Sequence, residues 1–205
     1  MWRLNSLWLA LAVATTGPAQ AGRAAVVVNE LFYNAPDDLD DLQWVEVYNT
    51  AGAPVDLGGW TLDDGKVFTF PAETTLGGHS YLVVALSPDR FAKAYSGTAL
   101  GPFKRPLKRG GEKLALKDAA GKVVDTVRYK DRAPWPVSPD GYSASLERIC
   151  PTAAGDAADN WAGSPLPPTP KPAGTPGKAN ANHSAALPPA VALGDAPTDL
   201  PPARA

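Results

Sequence analysis

Residues 42–65 alternate in a way that few folds can accommodate. Trp44, Glu46 and Tyr48 share one parity and Val45 and Val47 the other, which is the period-two signature of a strand. A turn cluster, Asn49-Thr50-Ala51-Gly52, follows at once, and Leu57-Gly58-Gly59-Trp60 reverses the chain again. Short alternating strands joined by turns are a sheet signal.

The rest of the chain repeats the pattern. Residues 26–33 are rich in β-branched and aromatic side chains and read as the first strand. Asp63-Asp64-Gly65 reads as a three-residue hairpin loop that pairs Trp60 with Phe68 and keeps Trp60, Phe68 and Phe70 on one face, with Gly65 in a left-handed position. Residues 81–86 form an apolar run suited to a central strand. Ser87-Pro88-Asp89 then has the cap, first-turn proline and first-turn acid of a helix N-terminus, and Gly97 is placed to end that helix. Leu114 and Leu116 share a face, as do Val123, Val127 and Tyr129, with Asp125 set among them. Residues 141–149 read as the last strand. About eight short strands and one short helix predict an all-β sandwich.

Several stretches, in order along the chain, are similar to one family. They are Val28-Asn29-Glu30-Leu31, Trp44-Val45-Glu46-Val47-Tyr48-Asn49, Val55-Asp56-Leu57-Gly58-Gly59-Trp60-Thr61-Leu62, Phe68-Thr69-Phe70-Pro71 and Val123-Val124-Asp125. Ser145-Leu146-Glu147-Arg148, Asn160-Trp161 and Gly174-Thr175-Pro176-Gly177 complete the series. The set resembles the bacterial lamin-tail domain, a relative of the immunoglobulin-like tail of nuclear lamins. The resemblance spans residues 24–180 and implies an immunoglobulin-like β-sandwich of lamin-tail type. It also implies a binding or tethering module of a bacterium and brings no catalytic residues. One departure is local. Where members often carry small, polar residues after Gly101-Pro102-Phe103, this chain has Lys-Arg-Pro-Leu-Lys-Arg.

The ends of the chain read differently from its middle. Residues 1–21 hold one basic residue, Arg3, then a short apolar run and an Ala-Gln-Ala end, which are the parts of a secretory signal peptide. No later run reaches membrane-span length. Residues 181–205 are rich in Ala and Pro, lack aromatics, and read as a flexible tail. The expectation is therefore an exported protein: periplasmic, secreted or on the cell surface. A single cysteine, Cys150, excludes an internal disulfide and reads as a buried thiol. The formal charge of −2 does not itself favour nucleic acid.

Chemistry-bearing residues are few. The two histidines, His79 and His183, are far apart, so a zinc site is not expected, and His79 reads as a turn residue. Asp37, Asp38, Asp40 and Asp41 could offer oxygens to calcium, yet lack the EF-hand spacing and read first as a solvated acidic loop. Glu30, Glu46 and Glu147 lie in strand patterns without a nucleophile or base to complete a site. They are expected, with Asp125, to accept hydrogen bonds from loop amides or arginine. Gly141-Tyr142-Ser143-Ala144-Ser145 lacks the final glycine of a nucleophile elbow, and no phosphate loop is present.

The remaining signal is basic. Lys104, Arg105, Lys108 and Arg109 could grip phosphates or acidic glycans, and Trp135 between two prolines could stack on a sugar or peptide or else plug the end of the sandwich. The chain reads as a non-enzymatic, cofactor-free module that recognises an anionic partner through residues 104–109. The partner would be a protein, glycan or other polyanion, with nucleic acid less favoured. The alternative is a structural or accessory component of a cell-envelope or surface assembly.

Overall fold

Alternation becomes pairing in the structure, a computed structural model that describes residues 25–36, 39, 41–166 and 172–187. The signal-peptide reading, Asp37, Asp38, Asp40 and the end of the tail lie outside the described residues. The described strands are β1 (Val26–Phe32), β2 (Trp44–Asn49), β3 (Val55–Asp56), β4 (Thr61–Leu62), β5 (Phe68–Thr69), β6 (Thr75–Leu76), β7 (Tyr81–Ala85), β8 (Gly111–Lys117), β9 (Val123–Lys130), β10 (Leu146–Arg148) and β11 (Trp161–Gly163). One sheet has the order β11-β10-β1-β2-β7 and a second the order β5-β4-β8-β9, while β3 and β6 form a two-stranded ribbon. All of these strand pairs are antiparallel. The two larger sheets face each other as an immunoglobulin-like β-sandwich.

The core fills the space between those sheets. Val26, Val28, Leu31, Val45, Val47 and Leu146 come from the first sheet. Leu62, Phe68, Leu114, Leu116, Val127 and Tyr129 come from the second. The first sheet is covered on its other face too. There Phe91 and Tyr95 of α1 (Pro88–Tyr95) meet the Trp44 ring edge-on at 6.1 and 5.7 Å. Burial on both sides explains why every residue of β1 is buried. The helix begins as its sequence requires, with Ser87 accepting a hydrogen bond from the Arg90 amide and Pro88 in the first turn. It ends one residue before Gly97, on Ser96, which takes the left-handed conformation at φ 54°.

The hairpin register differs from the expected one. Leu62 pairs with Phe68 and Thr61 with Thr69, and the Phe70 amide donates to the Trp60 carbonyl. Trp60 therefore lies opposite Phe70, not Phe68. The shift is two residues, so the face assignment survives: Trp60, Leu62, Phe68 and Phe70 all turn inward. The extra length is absorbed by three consecutive left-handed residues, Asp63, Asp64 and Gly65, and by Val67, which curls under the turn and is fully buried. Aspartate tolerates this conformation better than most residues.

An ion pair joins the sheets through the core. Asp125 on β9 accepts from the Val28 amide of β1 at 2.9 Å and from Arg148 Nη1 of β10 at 2.6 Å. Arg148 is almost wholly buried, also donates to the carbonyls of Val28 and Ala153, and lies 6.0 Å from the Trp161 ring. This is the arginine partnership expected of Asp125. Removing one member of such a pair leaves the other charge buried and uncompensated. Asp125→Ala should thus lower the unfolding free energy by about 3–5 kcal/mol in urea titration, and a loss below about 1 kcal/mol would refute this role.

Candidate functional site

Two clusters merit description as candidate sites: the basic loop of residues 101–110, and a row of carboxylates on the outer face of the first sheet. The loop alternates. Phe103 and Leu107 turn inward and are buried. Gln43, just before β2, grips the loop, accepting from the Leu107 amide at 2.7 Å and donating to the Leu107 carbonyl at 3.2 Å. Arg105 turns inward as well. Its Nη2 lies 2.8 Å from Asp63 and 2.7 Å from Glu112, and hydrogen bonding to Glu112 holds its pKa above the ordinary arginine value. Glu112 also accepts from the Lys108 amide and the Tyr129 hydroxyl.

Arg105 thus anchors the loop and is not offered to a partner, which corrects its place among the contact residues. Lys104, Lys108 and Arg109 are exposed. Lys104 Nζ leans over β5 to Thr69 Oγ1 at 3.3 Å. Trp135 also needs correction. It is only 6 % exposed and packs against Trp161 with ring centroids 6.2 Å apart, so it plugs the sandwich and presents no face for stacking.

Of the acidic loop, Asp41 is described, and it pairs with Arg90 at 2.9 Å. Among the described residues no cluster of His, Cys, Asp or Glu is arranged to hold a metal ion. Cys150 is buried against Thr152 and the Ala185 carbonyl. His79 sits in a turn at φ 52°.

The carboxylates form the more unusual arrangement. In the pairing register Glu30 of β1 lies opposite both Glu147 of β10 and Glu46 of β2. All three side chains are fully buried. A bulge between Val28 and Glu30 sets the row. It turns Asn29 and Glu30 to the same face, whereas strict alternation would separate them. Residues 172–187 form a strap that crosses this row, and the glutamates hold it by its amides. Glu30 accepts from the Thr175 N–H at 2.9 Å, Glu46 from the Gly177 N–H at 2.5 Å, and Glu147 from the Asn182 N–H at 3.0 Å and its side-chain amide at 2.8 Å. Asn180 donates to the carbonyls of Asn29 and Arg148.

Two features show how closely the strap is fitted. Gly174 lies at φ 105°, and a Cβ there would come within 2.9 Å of Glu30 Oε1. The strap also continues to residue 187, with the Ser184 amide bonded to the Ile149 carbonyl at 2.8 Å. Residues 181–187 therefore belong to the folded part, seven residues beyond the boundary expected from composition.

The Thr175 hydroxyl lies 3.2 Å from Glu30 Oε2, 3.3 Å from Glu147 Oε1 and 3.5 Å from Asn180 Oδ1. It has one hydrogen for three acceptors, so a proton held on the Glu30 carboxyl would supply a second donor. Burial favours that proton. Desolvation, opposed by the Ser145 hydroxyl and the Thr175 amide, pushes Glu30 up to about 7. Desolvation and the neighbouring Glu30 push Glu46 up to about 8.

Both groups bind protons more tightly folded than unfolded. Their contribution to stability is complete below the ordinary glutamate pKa of about 4.5 and is lost as pH rises through 7 to 8. Stability measured by urea unfolding should fall by on the order of a few kcal/mol between pH 5 and pH 8. Glu46→Gln should flatten that slope, and should cost about 1–3 kcal/mol at pH 5, because the amide nitrogen cannot accept the Gly177 N–H. A slope unchanged in Glu46→Gln would show that the proton sits elsewhere.

A solved structure of a DUF4876 family protein from Bacteroides thetaiotaomicron VPI-5482 is similar at 10% sequence identity and a TM-score of 0.43. The match covers 62% of this chain and 63% of that one, so it spans less than two thirds of that protein. No curated protein matches the sequence. The family model described as Lamin Tail Domain matches residues 19–131, which takes in β1 through β9. That is more than half of the 205 residues, and the chain belongs to the lamin tail domain family.

Proposed function

We propose that this protein is an exported, non-enzymatic binding or tethering module that recognises an anionic partner through the exposed cations of its 104–109 loop. The carrying observation is the way the loop is mounted. Phe103, Arg105 and Leu107 fix it to the core, and Lys104, Lys108 and Arg109 are displayed from that rigid base. A preorganised cationic loop loses little conformational entropy when an anion binds.

The carboxylates support the non-enzymatic part of the reading. Glu30, Glu46 and Glu147 are buried and bonded to the strap, so none faces a cleft where substrate could meet an acid or base. An open cleft of about 220 Å³ between β7, α1 and the strap is lined by Tyr81, Phe91, Tyr95, Pro176 and Gly177 among others, with no carboxylate, histidine or cysteine in its wall. Export rests on the signal-peptide pattern of residues 1–21. Among the described residues no helix is long and apolar enough to cross a membrane.

The full mature chain should bind dextran sulfate at low ionic strength and release it as salt rises past the point where the Debye length falls below about 8 Å. The triple variant Lys104→Ser, Lys108→Ser and Arg109→Ser should bind several-fold more weakly at unchanged thermal stability. A wild-type chain that holds no polyanion at low salt would overturn the proposal.

A further inference from the structure

The hairpin of β8 and β9 places like charges face to face. Lys113 lies directly opposite Arg128, and the next outward position pairs Gly111 with Lys130. The neighbouring pair Leu114 and Val127 is buried in the core, so Lys113 and Arg128 point away from it, and both are exposed. Directly opposed like charges on one face of a sheet destabilise it. No carboxylate on β8 or β9 relieves them. Glu112 turns to Arg105 and Tyr129, and Asp125 turns to Arg148. Among the described residues neither Lys113 nor Arg128 forms an ion pair.

The same face continues across the sheet. Lys117 on β8 pairs across to Thr61 of β4 and is bonded to Asp64. Thr61 lies opposite Thr69 of β5, over which Lys104 leans. The basic loop is therefore one border of a wider surface whose unpaired centre is Lys113 and Arg128.

We infer that the outer face of the β5-β4-β8-β9 sheet is a docking surface for an acidic polysaccharide, centred on Lys113 and Arg128. The inference rests on the anion-binding reading above and names its ligand class and the residues at its centre. Several features favour a glycan over nucleic acid. Four strands span roughly 15–19 Å, broader than the ~12 Å major groove of a DNA duplex. The aromatic residues of these strands and their flanks turn to the core, with Phe68, Phe70 and Tyr129 buried and Trp60 partly buried against it, so none of them offers a platform for stacking bases. The hydroxyls of Thr61, Thr69 and Thr126 lie between the cations, where they can bond sugar hydroxyls while the cations meet carboxylates or sulfates.

The test compares two variants of the full mature chain against polygalacturonate, dextran sulfate, neutral dextran and single-stranded DNA at low salt. Lys113→Ser with Arg128→Ser should weaken binding to the two acidic polysaccharides by about tenfold or more. It should leave the melting temperature equal or higher, because the opposed charges are relieved. Neutral dextran should not bind. If the loop triple variant loses binding while the double variant keeps it, this inference fails and the loop reading stands. If the wild type binds neither acidic polysaccharide, both fail. If it binds DNA but no acidic polysaccharide, the glycan assignment is overturned.

Discussion

Three buried carboxylates hold the strap of residues 172–187 on this sandwich. Glu147, Glu30 and Glu46 lie side by side on β10, β1 and β2, where burying charge is expensive and where a designer would place valine. Their use is in what they accept. A strap that crosses a sheet face cannot satisfy its amides by joining the sheet, because the strands beneath already pair with each other. A carboxylate offers up to four acceptor sites and can meet several donors at once. The strap of residues 172–187 has few large apolar side chains and is held by directional bonds to this row. Polar fixing of this kind specifies one position for the strap where apolar packing would tolerate several. The raised affinities of Glu30 and Glu46 for protons follow from the same burial.

The two sheets divide the work. The first is covered on both faces, by the core on one side and by α1 and the strap on the other, and its side chains are committed to packing. The second is covered on one face only. Its other face, with the loop that borders it, displays cations in fixed positions. Asp125 and Arg148 join these halves through the core, so the displaying sheet has little freedom to shift against the scaffold.

Much of the scaffold is legible in the sequence because it depends on local chemistry. Alternation in residues 44–49 predicts β2, and Ser87-Pro88 predicts the start of α1. The glutamates and Asp125 could be read as hydrogen-bond acceptors for want of catalytic companions. What could not be read depends on partners distant in sequence. The β4–β5 register turns on Asp63 and Asp64 both adopting a conformation usual for glycine. Arg105 looks like part of a basic cluster until folding brings Asp63 beside it. Lys113 and Arg128 are fifteen residues apart and become neighbours only through the hairpin register. The end of the strap, residues 181–187, reads as flexible tail because composition reports side chains, and the strap's bonds are made largely by its backbone. Gly174-Thr175-Pro176-Gly177 was the visible signal.

The bond between Asn29 and Asn180 has a consequence for how the chain reaches this state. It joins residues 151 positions apart, and Glu46 and Gly177 are separated by 131. The first strand therefore waits for residues 172–187 before its own polar groups are satisfied. Contacts of such separation close late in folding. The register of β10, β1 and β2 is therefore locked only when residues 172–187 lie across all three strands.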